Sequence, residues 1–242
     1  MTILKLFSLL LDYPTDNSVE LIAEIKNHLA ASELSNNSKQ GVKQLLVHFT
    51  DHPLLDLQSD YDSMFERGRS LSLHLFEHIH GESRDRGQAM VNLQQQYRDA
   101  GLDIGVKELP DYLPLYLEFL STQGEENSRI GLEEIAPILA VLACRLDQRQ
   151  NPHAAIFHSL LELSGADINL QDVSNQIREE KPDYTPDALD RVWEEEAVSF
   201  SANQNADACS SAINRPTQQQ SRDHVEYLNL EDLLKLQPAA SV

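Results

Sequence analysis

Through almost all of the first 200 residues, apolar side chains recur every three or four positions, and no stretch alternates apolar with polar as a strand would. Ile3, Phe7, Leu10 and Leu11 form one stripe, and Val19, Ile22 and Leu29 the next. Val42, Leu45, Leu46 and Phe49 follow, then Leu54, Leu57, Tyr61, Met64 and Phe65. A turn of 3.6 residues gathers such positions on one face, so the spacing commits the chain to helices that bury one side. Nine glycines and ten prolines leave few of the turns that an all-β fold needs.

Boundary residues agree with this reading. Asn151-Pro152 and Thr185-Pro186 each place a capping side chain before a proline suited to a first helical turn, and Gly165 marks the stop of the helix that Pro152 opens. In "PDYLPLYLEFL", Asp111 is expected to cap a helix whose core face is Leu113, Tyr116, Leu117 and Leu120, with Pro114 in the first turn, where no internal N–H is needed. In "EIAPILAVLACRL", Ile135, Leu139, Leu142 and Leu146 align, and Pro137 starts or kinks the helix. Both are expected to be central. The expected architecture is a single all-α bundle of about ten helices over residues 1–200. Residues 201–242 read as a polar linker and flexible tail carrying a short amphipathic piece at Val225, Leu228, Leu233 and Leu236.

Charge narrows the choice of partner. With 39 acids against 19 bases the formal net charge is -20, which repels nucleic acid and anionic lipid and favours basic peptides. The stretch from Glu162 to Phe200 is especially acidic and is a second candidate surface for a basic partner. Cys144 and Cys209 are too far apart for a Cys-x-x-Cys motif, so a reduced cytoplasmic setting is expected. The start, "MTILKLFSLLLDYP", does not read as a signal peptide, and "IAPILAVLAC" is about half the ~20 residues that a bilayer requires, so no direct membrane insertion is expected.

Histidine and arginine concentrate in "ERGRSLSLHLFEHIHGESRDR". Read as a helix, Leu71, Leu73, Leu75, Phe76 and Ile79 cover an apolar arc, and Arg67, Ser70, His74, Glu77 and His78 share the remaining wedge of about 100°. "HLFEH" fits the H-x-x-E-H pattern of one class of zinc peptidases, with His74 and His78 as ligands and Glu77 as general base. Spacing supplies no third ligand, nine histidines make a chance match easy, and Arg67 on the same wedge opposes a dication. Without metal, Glu77 is expected to hold His74 partly protonated. The arginines Arg67, Arg69, Arg84 and Arg86 either pair with Glu66, Glu82 and Asp85 or recognise a carboxylate or phosphate. There is no Gly-rich phosphate loop and no G-x-S-x-G elbow.

The run "YDSMFERGRSLSLHLFEHIHGESRDRGQAM", followed by "KELPDYLPLYLEFL" and "GLEEIAPILAVLACRL", closely resembles the NarJ family, the assembly chaperones or delta chains of respiratory nitrate reductase. "LDYPTD" and "ALDRVWEEEAVSF" are also similar to that family, and the likeness covers roughly residues 1 to 200. The resemblance implies a non-catalytic, all-helical cytoplasmic protein that holds no cofactor permanently. It would bind the N-terminal segment of the reductase catalytic (alpha) subunit and keep it open for molybdenum cofactor and iron–sulfur insertion before membrane attachment, in contact with the cofactor-delivery machinery. Pro110, Asp111 and Tyr112 resemble the broader family's Pro-Asp-His/Tyr element, to which Glu108 also belongs. By that similarity the peptide site would comprise Tyr61, Phe65, Arg67, Arg69, Leu71, His74, Leu75, Glu77, His78, Glu108, Asp111 and Tyr112. Arg84 and Arg86 would meet cofactor phosphates. A zinc hydrolase built on His74, Glu77 and His78, or a generic helical adaptor, are the rival readings.

Overall fold

A computed structural model of the chain describes residues 2–79, 85–104 and 108–190. The expected linker and tail, 201–242, lie outside the described residues, as does the end of the expected helical body. Twelve α-helices and one π-helical turn occupy the described residues, in place of about ten helices. In order they are α1 (Thr2–Leu11), α2 (Asp16–Glu20), α3 (Ile22–Ala31), α4 (Asn36–Asp51) and α5 (Leu54–Tyr61), then the π-helical turn Asp62–Glu66. They continue with α6 (Leu75–Ile79), α7 (Asp85–Asp99), α8 (Leu113–Thr122), α9 (Glu125–Glu134), α10 (Ala136–Gln148), α11 (Ala154–Ser164) and α12 (Leu170–Ile177).

The apolar stripes do what their period requires. Ile3, Leu4, Phe7, Leu10 and Leu11 of α1 are buried against α8, whose own buried face is Leu113, Tyr116, Leu117 and Leu120. Each such side chain, taken fully out of water, contributes ~2 kcal/mol. Ser8 ties the two helices by donating to the carbonyl of Pro114 at 2.7 Å. Pro114 sits in the first turn of α8, and Pro137 in the first turn of α10.

The centre of the bundle is α10, in which every residue from Ala136 to Leu146 is buried. A helix apolar around its whole circumference must be wrapped, and α11, α12 and α9 pack on it. By contrast α8 keeps Glu118 in solvent, so it flanks the centre. Gly165 ends α11 in the left-handed conformation at φ 68°, as its position forecasts. The Asn151 side chain accepts the His153 N–H at 2.9 Å, so the turn into α11 is capped from there.

Between α5 and α6 the chain leaves regular helix. The wider π-helical turn lets both Tyr61 and Phe65 point inward, ring centroids 5.0 Å apart. Gly68 follows at φ 82°, a conformation costly to residues with a Cβ, and α6 begins only at Leu75. The single helix expected across residues 67–78 is therefore corrected. Arg67, Ser70, His74, Glu77 and His78 do not share one helical wedge, because distant groups hold this segment out of helix: Asp183 takes the N–H groups of Arg69 and Ser70, and Leu73 O accepts the Leu113 N–H.

Candidate functional site

Leu73 and His74, leading into α6, lie beside Asp111 and Tyr112, leading into α8. Leu113 N–H donates to Leu73 O at 2.8 Å and Leu75 N–H to Asp111 O at 3.0 Å, making an antiparallel bridge between His74 and Tyr112. Leu73, Leu75 and Leu113 point into the core, which turns the His74 and Tyr112 rings to the half-exposed side, 5.4 Å apart. The flanking proline carbonyls are satisfied at a distance: Tyr97 Oη donates to Pro110 O at 2.7 Å.

Asp111 is the hub. Its side chain is fully buried, Oδ2 accepts the Phe76 N–H at 3.1 Å, and Oδ1 accepts from His74 Nδ1 at 3.2 Å. It was expected to cap its own helix. Instead Tyr112 stands at the N-cap of α8 without a side-chain bond, and the Asp111 carboxylate caps α6, where a negative charge also complements the helix dipole. Arg86, on α7, lies 3.3 Å from Glu77 and 4.0 Å from Asp111.

These contacts set the charges. The hydrogen bond from Asp111 is the main cause that raises the His74 pKa above its ordinary 6.5; burial opposes it, and Glu77 adds only a smaller push. The expectation that Glu77 governs His74 is corrected accordingly. His78 behaves oppositely: its ring turns inward, Nε2–H donates to Ser72 O at 2.8 Å, and burial pulls its pKa down to about 4. The two histidines of "HLFEH" thus face different partners, and their pKa values move in opposite directions. Among the described residues, no group of three or more His, Cys, Asp or Glu is placed to hold a metal ion. Tyr112 Oη donates to Asp12 Oδ1 at 3.1 Å and meets Tyr61 Oη at 3.1 Å, while Tyr61 bonds Leu11 O at 3.2 Å. Burial first, then Tyr61 and Asp12, raises the Tyr112 pKa and keeps the phenol neutral.

The residues singled out from sequence divide into two layers. Tyr61, Phe65, Leu71 and Leu75 are core side chains, at most 5% exposed, beneath the site. His74, Glu77, His78 and Tyr112 are half-buried, and Arg67, Arg69 and Glu108 are exposed. Arg84 lies outside the described residues, as does Glu82. Sequence reasoning missed Asp12 and Ser72, which complete the polar network, and Asp183, whose carboxylate accepts the N–H groups of Arg69 and Ser70, each at 2.7 Å. Gly68, a residue suited to the left-handed conformation it adopts here, is the local hint of this turn.

Beside this network a concave surface of about 470 Å³ opens across α1 and α3 and reaches Glu118 of α8. Half-buried Leu6, Leu9 and Leu21 supply its apolar floor, and exposed Asp12, Glu24 and Glu118 supply acids. Asp12 joins it to Tyr112. The arrangement suits binding: the Asp111 carboxylate is taken up by the Phe76 N–H and His74, and the His78 ring by the Ser72 carbonyl.

Comparison with known proteins places these features in context. The family model described as nitrate reductase delta subunit matches residues 31–159. The chain is 45% identical over 224 residues to the probable nitrate reductase molybdenum cofactor assembly chaperone NarW of Escherichia coli strain K12, covering 92% of this chain and 94% of that one. It is 45% identical over 201 residues to the nitrate reductase molybdenum cofactor assembly chaperone NarJ of the same strain, covering 83% and 85%. It is 30% identical over 158 residues to the probable chaperone NarJ of Bacillus subtilis strain 168, covering 64% and 83%.

Proposed function

Because this chain belongs to the nitrate reductase delta subunit family, we propose that it is a system-specific assembly chaperone whose client is the catalytic subunit of nitrate reductase. It is not an enzyme. The finer reading is that it binds the client's N-terminal segment in the cell interior and keeps the subunit open for molybdenum cofactor and iron–sulfur insertion before membrane attachment. Among the described residues, no helix is long and apolar enough to cross a membrane.

The observation that carries the finer reading is the concave surface on α1 and α3. A floor of Leu6, Leu9 and Leu21 edged by Asp12, Glu24 and Glu118 fits one apolar and one basic face of an amphipathic helix. The client contact is proposed to continue from Asp12 through Tyr112 to His74 and Glu77, and to include Glu108, Arg67 and Arg69, with Asp111 and His78 bracing it. Tyr61, Phe65, Leu71 and Leu75 are buried and are proposed to support the contact rather than touch the peptide. Arg84 and Arg86 are proposed to meet cofactor phosphates during insertion; unchanged cofactor content in a reductase matured with alanine at both would remove them from the site.

Calorimetric titration with a peptide copying the first ~15 residues of the catalytic subunit, about four helical turns, tests the reading against a scrambled peptide. Selective binding that weakens about tenfold or more in Glu24→Lys/Glu118→Lys is the expected result. Equal binding of both peptides would leave only a generic helical adaptor, and absence of binding would move the contact to folded parts of the client.

A further inference from the structure

The Gly68–Ser70 loop is built like an anion receptor, and something already occupies it. Gly68 at φ 82° turns the backbone so that the next two N–H groups, those of Arg69 and Ser70, converge on one point. The Asp183 carboxylate sits there. Oδ2 accepts both N–H groups at 2.7 Å, Oδ1 accepts the Ser70 hydroxyl at 2.7 Å, and the Arg149 guanidinium stands 3.4 Å from Oδ1 while donating to Ser70 Oγ at 2.9 Å. A Cβ on Gly68 would lie 2.6 Å from Asp183 Oδ2, so the absence of a side chain is what admits the ligand.

A second carboxylate in the same segment, Glu180, is held by an arginine side chain. Arg145 and Arg149 are four residues apart at the end of α10 and face one side. Arg145 grips Glu180 with two bonds of 2.8 and 2.7 Å and donates to Ser70 O at 2.6 Å. Arg149 also lies over the Tyr184 ring, 3.9 Å from its centroid. Residues 180–184 therefore cross two arginines and the loop, fastened mainly by their carboxylates. Beyond them the chain continues past residue 190.

We infer that the Gly68–Ser70 loop with Arg149 is an oxoanion-binding site, for a carboxylate or phosphate group, which the chain occupies with its own Asp183, and that residues 180–184 form a releasable strap over it. A tethered ligand is present at high effective concentration, so a free anion is excluded while the strap is down. Displacement of the strap opens the receptor and frees both arginines. The site is separate from the concave surface on α1 and α3, and the inference does not depend on a peptide binding there.

Amide hydrogen exchange on the full-length protein tests it, with inorganic phosphate and acetate as probes. In the unmodified chain the Arg69 and Ser70 amides should exchange slowly, with no response to either probe at millimolar concentration. In Asp183→Ala they should exchange about tenfold or more faster, residues 178–190 should lose protection, and phosphate or acetate should slow the two loop amides again in a saturable way. Arg149→Met in the Asp183→Ala background should weaken that rescue about tenfold. Asp183→Leu, close in volume and without an acceptor, should lose the same protection if the alanine variant is too unstable to compare. Unchanged loop exchange in both Asp183 variants would overturn the strap. Fast exchange that neither anion restores would overturn the receptor and leave Asp183 a structural tie.

Discussion

The buried carboxylate of Asp111 accepts the backbone N–H of Phe76 at 3.1 Å, so α6 is capped by a residue 35 positions further along the chain. The same carboxylate holds His74 at 3.2 Å. One side chain thereby joins the start of α6 to the segment that leads into α8.

Replacing Asp111 should therefore cost more than a surface cap would. Asp111→Ala removes the cap and leaves Phe76 N–H and the His74 ring without their acceptor, and a loss of ~2–4 kcal/mol in urea unfolding is expected. Asp111→Asn should lose less. In either variant, proton NMR titration should find the His74 pKa lower than in the parent, since the Asp111 bond is the leading cause of its elevation.

Stability should fall on the acid side from about pH 6.5 downward. Burial lowers the pKa of His78 to about 4 and of His153 to about 3, against 6.5 in the unfolded chain. Protons then bind the unfolded state first, so the stability tied to each neutral ring is present above pH 6.5 and is lost as pH falls toward the folded values. His74 has the opposite sign: its raised pKa adds stability below pH 6.5 that is lost as pH rises through its folded value. His153 is enclosed by Phe49 and Phe65, and no described protein group bonds its Nε2. Chemical denaturation of His153→Phe between pH 4 and 7 should give a shallower acid limb by ~1 kcal/mol or more.

Gly68→Ala should destabilise the chain by ~2 kcal/mol. The positive φ alone costs a residue with a Cβ about 1–2 kcal/mol, and the Asp183 carboxylate must also move away. A urea midpoint equal to that of the parent would contradict this.

Arg145 is only 5% exposed and serves both Glu180 and the Ser70 carbonyl. Arg145→Met leaves Glu180 without its cation, and a loss of ~3–5 kcal/mol in unfolding free energy is expected. The double variant Arg145→Met/Glu180→Leu should recover most of it, because the stranded charge is gone. Equal losses in the single and double variants would show that packing, not charge, holds the strap.

Helix positions were legible wherever the information is local. The buried faces of α8 and α10, the place of Pro114 in a first turn and the stop at Gly165 all follow from spacing along a few turns of chain. The block from Arg67 to His78 was misread as one helix because its apolar spacing, Leu71, Leu75, Ile79, fits a helix as well as it fits the observed loop, bridge and short α6. Gly68 signalled a break that periodicity alone could not weigh. The cap that Asp111 makes is not legible for a related reason: a carboxylate looks like a cap to its own helix until the neighbouring helix is in place.

What the sequence determined by itself was the helical class and the family, since both rest on patterns read along the chain: a 3.6-residue period and a run of characteristic residues. What only the tertiary structure decided was which polar groups meet. Asp111 finds Phe76 and His74, and Asp183 finds the N–H groups of Arg69 and Ser70 more than a hundred residues earlier. The reason is physical. Burial of apolar faces can be satisfied by many neighbours, whereas a buried hydrogen-bonding group needs one partner at one distance and angle, and packing of distant segments alone supplies it.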